Sequence, residues 1–282
     1  PGSGPVLLPD AGDRPSAKLP PLPPGLTGSI RRVSPLGREK VVALTFDLCE
    51  GPGERSGYDA GIVAYLRERG IPATFFAGGK WMRSHPEKTQ QLMADPLFEL
   101  GGHGWSHANL RLVSGPALAR EVTRTLAEYE ALRAELAARP CAAGLPAALE
   151  AVPRSLRLFR FPFGACGPEA LGYLANAGIP AIQWDVVPGD PSPGQTAEGI
   201  AREVLDSVRP GSIVVLHANG RGRRTAEALA LFVPELAARG YRFATVSELL
   251  RLGPAMAVSE CYERKPGDTL RYGAPPKERE AP

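Results

Sequence analysis

Apolar positions along the chain fall into short, largely continuous runs, separated by longer stretches in which they recur every third or fourth residue. The runs are "VVALTFD" (41–47), "ATFFAGG" (73–79), "LFELGGH" (97–103), "LRLFRFP" (156–162), "AIQWDVV" (181–187), "SIVVLHA" (212–218) and "FATVSEL" (243–249). Their length and continuity are those of strands covered on both faces. Between them, Leu118, Val122, Leu126, Tyr129, Leu132 and Leu136 step along one helical face. "ERGIPATFF" and "ARGYRFATV" each place a glycine just past a helix and then a strand. Repeated βα units predict a parallel sheet in an α/β fold, and seven such strands favour a closed or nearly closed barrel in a single domain.

The flanks depart from this pattern. Residues 1–28 hold Pro1, Pro5, Pro9, Pro15, Pro20, Pro21, Pro23 and Pro24 with few large apolar residues, which predicts an extended leader. From Pro266 to Pro282 the chain is charged and contains Pro and Gly, and reads as a surface tail. Lys and Arg number 33 against 30 Asp and Glu, with the arginines scattered, so no basic stripe is present and nucleic acid is not an expected partner. No run approaches the ~18 apolar residues of a membrane-spanning helix, so no transmembrane segment is expected in this chain. The chain opens at Pro1 and not at methionine, and an upstream segment such as a cleaved export signal is expected. Cys49, Cys141, Cys166 and Cys261 are compatible with two disulfides in an oxidising compartment or with free thiols.

Polar residues interrupt the predicted strands at their C-terminal ends: Asp47, His103 with His107, Arg160 and His217, with Asp190 a few residues beyond the fifth run. In a parallel barrel those ends share one face, so residues remote in sequence converge there. His103 and His107 lie four apart in "GGHGWSHANL", where the preceding glycines predict a turn just after a strand and not a mid-helix zinc site. Two such imidazoles suit a divalent metal through their neutral nitrogens. Pro162 and Gly164 predict a turn after Arg160 that presents the Phe163 N–H to a ligand oxygen. A carboxylate base, two His ligands, a cation, an exposed amide and a further His make up a metal-assisted hydrolase. Among the three tryptophans, Trp105, between the two histidines, is the expected sugar-stacking residue.

The ordered elements "TFD", "HGWSH", "RFPFG", "WDVVPGD" and "VVLH" resemble the polysaccharide deacetylase family, the NodB-homology or carbohydrate esterase 4 group, over residues 38–252. The resemblance implies a distorted (β/α) barrel and removal of acetyl groups from N- or O-acetylated polysaccharide or oligosaccharide. It implies Asp47 as general base held by Arg160, His103 and His107 as metal ligands, Phe163 as the oxyanion donor, and Asp190 orienting His217 as general acid. Where the family reads T-F-D-D-G, with the second Asp a metal ligand, this chain has Leu48.

Three readings of that departure stay open. Glu50 or a Cys49 thiolate completes the site, with Glu50 the expected ligand and zinc the expected divalent ion; two histidines and water hold the metal more weakly; or the metal is lost. The alternatives to a deacetylase are a non-catalytic carbohydrate-binding member and a hydrolase of another C–N bond in a small molecule. Because the implied Asp47–Arg160 contact draws two loops together, a Cys49–Cys166 disulfide is the expected pairing. The resemblance also implies an exported protein.

Overall fold

The computed structural model describes residues 15, 19–140, 142, 144 and 146–273. The chain runs through β1 (Ser29–Val33), β2 (Lys40–Leu48), α1 (Ala60–Glu68), β3 (Ala73–Ala77), α2 (Gly79–Ser84), α3 (Pro86–Ala94), β4 (Phe98–Gly102) and the long α4 (Gly115–Ala138). It continues through α5 (Pro146–Ala151), α6 (Pro168–Asn176), β5 (Ala181–Ile182), α7 (Ala197–Ser207), β6 (Ser212–His217), α8 (Thr225–Ala238), β7 (Tyr241–Phe243), α9 (Val246–Leu250) and β8 (Ala255–Val258). The strands form one sheet in the order β4-β3-β2-β6-β1-β5, with β7 also on β2 and β8 on β1. All pairs of β2 with β3, β6 and β7, and of β3 with β4, are parallel.

The sheet curls into a half-barrel with helices outside, as the alternation of elements predicts. Along β2, Val42, Leu44, Phe46 and Leu48 pack outward in a core shared with Ile62, Leu66, Trp81 and Leu229 of the helical layer. Val41 and Ala43 pack inward with Ile182, Ile213, Val215 and Phe76. Parallel pairing preserves this parity across the sheet, so Asp47, register partner of both Phe76 and His217, lies on the inner face. In α4, Leu118, Val122, Leu126, Tyr129 and Leu132 are buried, as their spacing predicts.

Several strands differ from expectation. The run 156–162 is reduced to one ladder residue: Phe159 bridges Gly102 on one side and Ala181 on the other. The run 243–249 turns helical after Phe243, because Thr245 and Glu248 form a reciprocal cap at the start of α9. The short β1 and β8 had no counterpart among the predicted strands; they pair antiparallel with each other, and β1 runs parallel to β5. In β1, Arg31 is buried, its guanidinium stacked 3.8 Å above the Tyr262 ring, which explains why an Arg-bearing segment can be an inner strand. The described part of the leader, from Leu19, lies against α6, where Leu22 N–H donates to Ala175 O at 2.9 Å; residues 1–14 and 16–18 fall outside the described residues.

The disulfide corrects the sequence expectation. Cys166 pairs with Cys261, Cα atoms 5.2 Å apart, and Cys49 is a free, buried thiol. Cys49 lies on β2's inner continuation, whereas Cys166 follows the 162–164 turn and meets the segment after β8, which sequence reading had not drawn toward the site. Cys141 falls outside the described residues. The bond anchors residues 261–273, and of the stretch read as a surface tail, Asp268–Tyr272 forms a 3₁₀ turn whose Tyr272 reaches the cleft described below. Peptide mapping without reductant is expected to recover a Cys166–Cys261 link and an alkylatable Cys49. Cys261→Ser is expected to lower unfolding free energy by about 2–4 kcal/mol in denaturant titration, since the bond closes a long loop; free thiols at 166 and 261 would contradict the pairing.

Candidate active site

The inner face ends in a cleft of about 440 Å³ lined by Asp47, Cys49, His103, His107, Phe163, Trp184, Asp190, His217, Arg221, Glu263 and Tyr272, among others. Asp47 and Cys49 reach it through the strand parity already described. Asp47 and His217 are register partners on β2 and β6, and His103 follows β4 at the same end.

Asp47 is 3% exposed and Arg160 is fully buried. Arg160 Nη1–H donates to Asp47 Oδ1 at 2.8 Å, its Nε to Ile182 O at 3.2 Å and its Nη2 to Gln183 O at 3.3 Å. The guanidinium also lies 4.0 Å above the Phe76 ring. Burial pushes the Asp47 carboxyl up, but the charge of Arg160, helped by His103 and His217, outweighs it and holds Asp47 below the usual carboxylate range. Asp47 is therefore ionised with Oδ1 occupied, and Oδ2 faces His103 Nε2 at 3.6 Å.

The histidines divide into two kinds. His103 Nδ1 lies 3.0 Å from Arg160 O. A carbonyl only accepts, so Nδ1 carries the proton and the Nε2 lone pair points into the cleft. Burial lowers the affinity of both His103 and His107 for a second proton, His107 to about 2 with His103 adding repulsion. Both imidazoles are thus neutral, the state a metal ligand requires. His107 adopts φ 56°, a left-handed conformation seldom taken by histidine. The loop that imposes it is pinned by Ser106, whose N–H and Oγ–H both donate to Glu121.

His217 is different. Its Nδ1 lies 3.0 Å from Asp190 Oδ1, its backbone N–H donates to Asp190 Oδ2 at 2.8 Å, and Thr225 Oγ1 donates to the same oxygen at 2.7 Å. Burial alone would lower its pKa, but the Asp190 carboxylate overrides that and raises it. Nδ1 is fixed as a donor and Nε2 faces the cleft.

Not every predicted residue joins this group. The Glu50 carboxylate turns away, accepting from Ser84 Oγ at 2.6 Å and Ser56 N–H at 3.2 Å. The nearer candidate is Cys49: its sulfur and a ring nitrogen of each of His103 and His107 all lie within 4.8 Å of one another. Trp105 faces the other way, between Arg83 and Arg124 with ring centroid distances of 4.8 and 4.2 Å, in a separate shallow depression. Gly79 leaves the room it needs, since a Cβ there would come within 2.3 Å of the indole. Trp184, not Trp105, lines the cleft, its Nε1–H donating to Glu263 O at 2.9 Å. Phe163 sits in the 162–164 turn with φ 59°, its ring 4.5 Å from His107 and 5.3 Å from Tyr272. Glu263, Tyr272 and Arg221 carry no motif that sequence reading could use; only the disulfide and the fold bring them here.

Two neutral imidazoles with a soft donor beside them and an ionised carboxylate in reach fit a divalent ion, and the whole set has the parts for metal-assisted hydrolysis of an acyl group. Comparison with known proteins agrees with that class. The family model for polysaccharide deacetylase matches residues 36–182. A chitooligosaccharide deacetylase of Sinorhizobium fredii is 33% identical over 216 residues, 76% of this chain and 85% of the relative. A peptidoglycan-N-acetylglucosamine deacetylase of Bacillus cereus is 31% identical over 217 residues, 76% of this chain and 89% of the relative. Among solved structures, a CE4 family pseudoenzyme from Bacillus anthracis superposes with a TM-score of 0.64 at 23% identity, covering 82% of this chain and 72% of that one; that likeness speaks for the fold. The chain belongs to the polysaccharide deacetylase family.

The Asp47–Arg160 pair makes a direct prediction. Arg160→Met leaves a buried carboxylate without its counter-charge and is expected to cost about 3–5 kcal/mol of unfolding free energy in denaturant titration. Asp47→Asn in the same background is expected to recover part of the loss, because no uncompensated charge then remains. A loss below ~1 kcal/mol in the single variant would contradict the role given to the pair.

Proposed function

We propose that this protein is a hydrolase that removes acetyl groups from an N- or O-acetylated polysaccharide or oligosaccharide, with His103 and His107 holding a divalent ion. The observation that carries this is the division of labour among three cleft histidines: His103 and His107, each with a ring nitrogen within 4.8 Å of the other's and of the Cys49 sulfur, and His217, fixed by the buried Asp190 carboxylate. A bound divalent ion supplies Lewis acidity, making water nucleophilic near neutral pH and polarising the acetyl carbonyl.

The chain's own groups do the rest. Asp47 Oδ2 accepts the proton of the attacking water, while Oδ1 stays bonded to Arg160, which fixes the carboxylate's orientation. The Phe163 N–H at the cleft wall faces the carbonyl oxygen and stabilises the charge that builds on it. His217 Nε2 gives its proton to the departing amine or alkoxide, and Asp190 holds the ring in the tautomer that makes this possible. Phe163, 38% exposed, and Tyr272 beside it offer aromatic surface for a sugar ring. The similarity to chitooligosaccharide and peptidoglycan deacetylases supports an acetylated aminosugar polymer as substrate. Export, the location where such polymers lie, is proposed on the same ground and on the disulfide.

The test is acetate release from N-acetylglucosamine oligomers by zinc-loaded protein. His103→Ala and His107→Ala are expected to lose metal and acetate release together. His217→Ala is expected to keep its metal while turnover falls ~10²–10⁴-fold, the usual worth of a general acid. Oligomer binding without acetate release from fully loaded wild type would favour the binding-module reading.

The pH profile provides a separate check. A raised His217 pKa extends the protonated range of the acid above that of an ordinary imidazole, so activity is expected to decline on the alkaline side. Asp190→Asn removes the group that raises it and leaves burial, which lowers it. The alkaline limb of kcat is therefore expected to move down by ~1 pH unit or more; an unmoved limb would contradict the assignment.

A further inference from the structure

We propose that Cys49 donates a thiolate to the divalent ion, so that this site is an N₂S centre selective for borderline ions such as zinc or cobalt over hard ions such as magnesium. The inference rests on the metal-site reading above and asks which atom completes it.

Strand parity is the first observation. Leu48 is the last residue of β2, pairs with Ala77, and points into the outer core between sheet and helices. An aliphatic side chain packed there cannot ligate. Cys49 is the next inward residue, on the same side as Asp47, and it lines the cleft. Its sulfur completes a group with His103 and His107 whose donor atoms all lie within 4.8 Å of one another.

The sulfur's other contact supplies the second observation. Asn219, 2% exposed, places Nδ2 2.8 Å from Cys49 O and 3.1 Å from Cys49 Sγ. An amide nitrogen only donates, so the sulfur is held as an acceptor. A donor aimed at sulfur is the outer contact that orients and stabilises a ligating thiolate.

Glu50, the other ligand candidate beside Leu48, is held by Ser84 and Ser56, and Asp47 has Oδ1 committed to Arg160, leaving Oδ2 for the proton of the attacking water. Neither of the other described cysteines is available, since Cys166 and Cys261 are bonded to each other. When the sulfur–metal bond forms, the thiol proton leaves to solvent, and no oxidant or reductant is needed. Thiolate favours borderline and soft ions and adds little for magnesium or calcium, from which the selectivity follows.

Cobalt(II) substitution of the full chain tests this without reference to turnover. One bound equivalent is expected to show a near-ultraviolet sulfur-to-cobalt charge-transfer band together with visible ligand-field bands. Cys49→Ser is expected to lose the former, keep the latter, and bind zinc at least ~10-fold more weakly. X-ray absorption at the zinc edge of wild type, which requires no variant to fold, is expected to show one sulfur scatterer at about 2.3 Å. Visible bands without the charge-transfer band, or zinc with only nitrogen and oxygen neighbours, overturns the thiolate and leaves the deacetylase reading standing if acetate is still released. Absence of any cobalt or zinc binding overturns both the thiolate and the metal-assisted mechanism.

Discussion

The structure turns on the buried ion pair between Asp47 and Arg160. The segment around Arg160 has a single ladder residue, Phe159, and joins β4 and β5 through only a few backbone bonds, among them Arg160 N–H to Gly102 O at 2.8 Å and Ile182 N–H to Phe159 O at 2.7 Å. The Arg160 side chain adds to them: its donors reach Ile182 O, Gln183 O and Asp47, tying the end of β2 to the end of β5 and the residue after it. A fully buried guanidinium is costly unless each face and donor is used. Here the remaining face is covered by Phe76 and Trp184. The same contact that joins the half-barrel's edges therefore ionises and orients the carboxylate on which the proposed chemistry depends.

From that pair, the rest of the site follows by parity and by short hydrogen bonds. Asp47 and His217 share a register level; the carbonyl of Arg160 sets the tautomer of His103; Asp190 does the same for His217. Asp47, His103 and His217 are held at strand ends, which favours precise geometry. On the other wall, the Cys166–Cys261 bond brings Glu263 and Tyr272 to the cleft. The wall built from the chain's last described residues thus depends on covalent closure, and the wall that carries Asp47 and His217 depends on the sheet.

Much of this was legible in the sequence, for a physical reason. Strands buried on both faces leave largely apolar runs, and polar residues at their ends stand out against them. That is how Asp47, His103, Arg160 and His217 could be placed on one rim before the fold was known. Short elements were harder. β1 carries Arg31, whose burial rests on stacking with the distant Tyr262, and no local pattern announces that. The cap formed by Thr245 and Glu248 was readable as a helix start but lay inside a β-like run. Glu50 was favoured as a ligand over Cys49 because an expected disulfide consumed the thiol; the real partner, Cys261, lies 95 residues from Cys166 and leaves Cys49 free. Trp105 was favoured over Trp184 by its position between histidines, yet the turn after β4 sends its indole to the helical side.

The central claim is that a divalent ion sits on the inner face of the half-barrel beside an ionised Asp47. Anomalous diffraction from zinc-loaded crystals tests it most directly. The account predicts one strong peak within bonding distance of His103 Nε2, His107 and Cys49 Sγ, with Leu48 still in the outer core and the Asp47–Arg160 pair intact. A peak bound by Glu50, a peak only outside the cleft, or no peak under conditions where zinc saturates the protein in solution would contradict it.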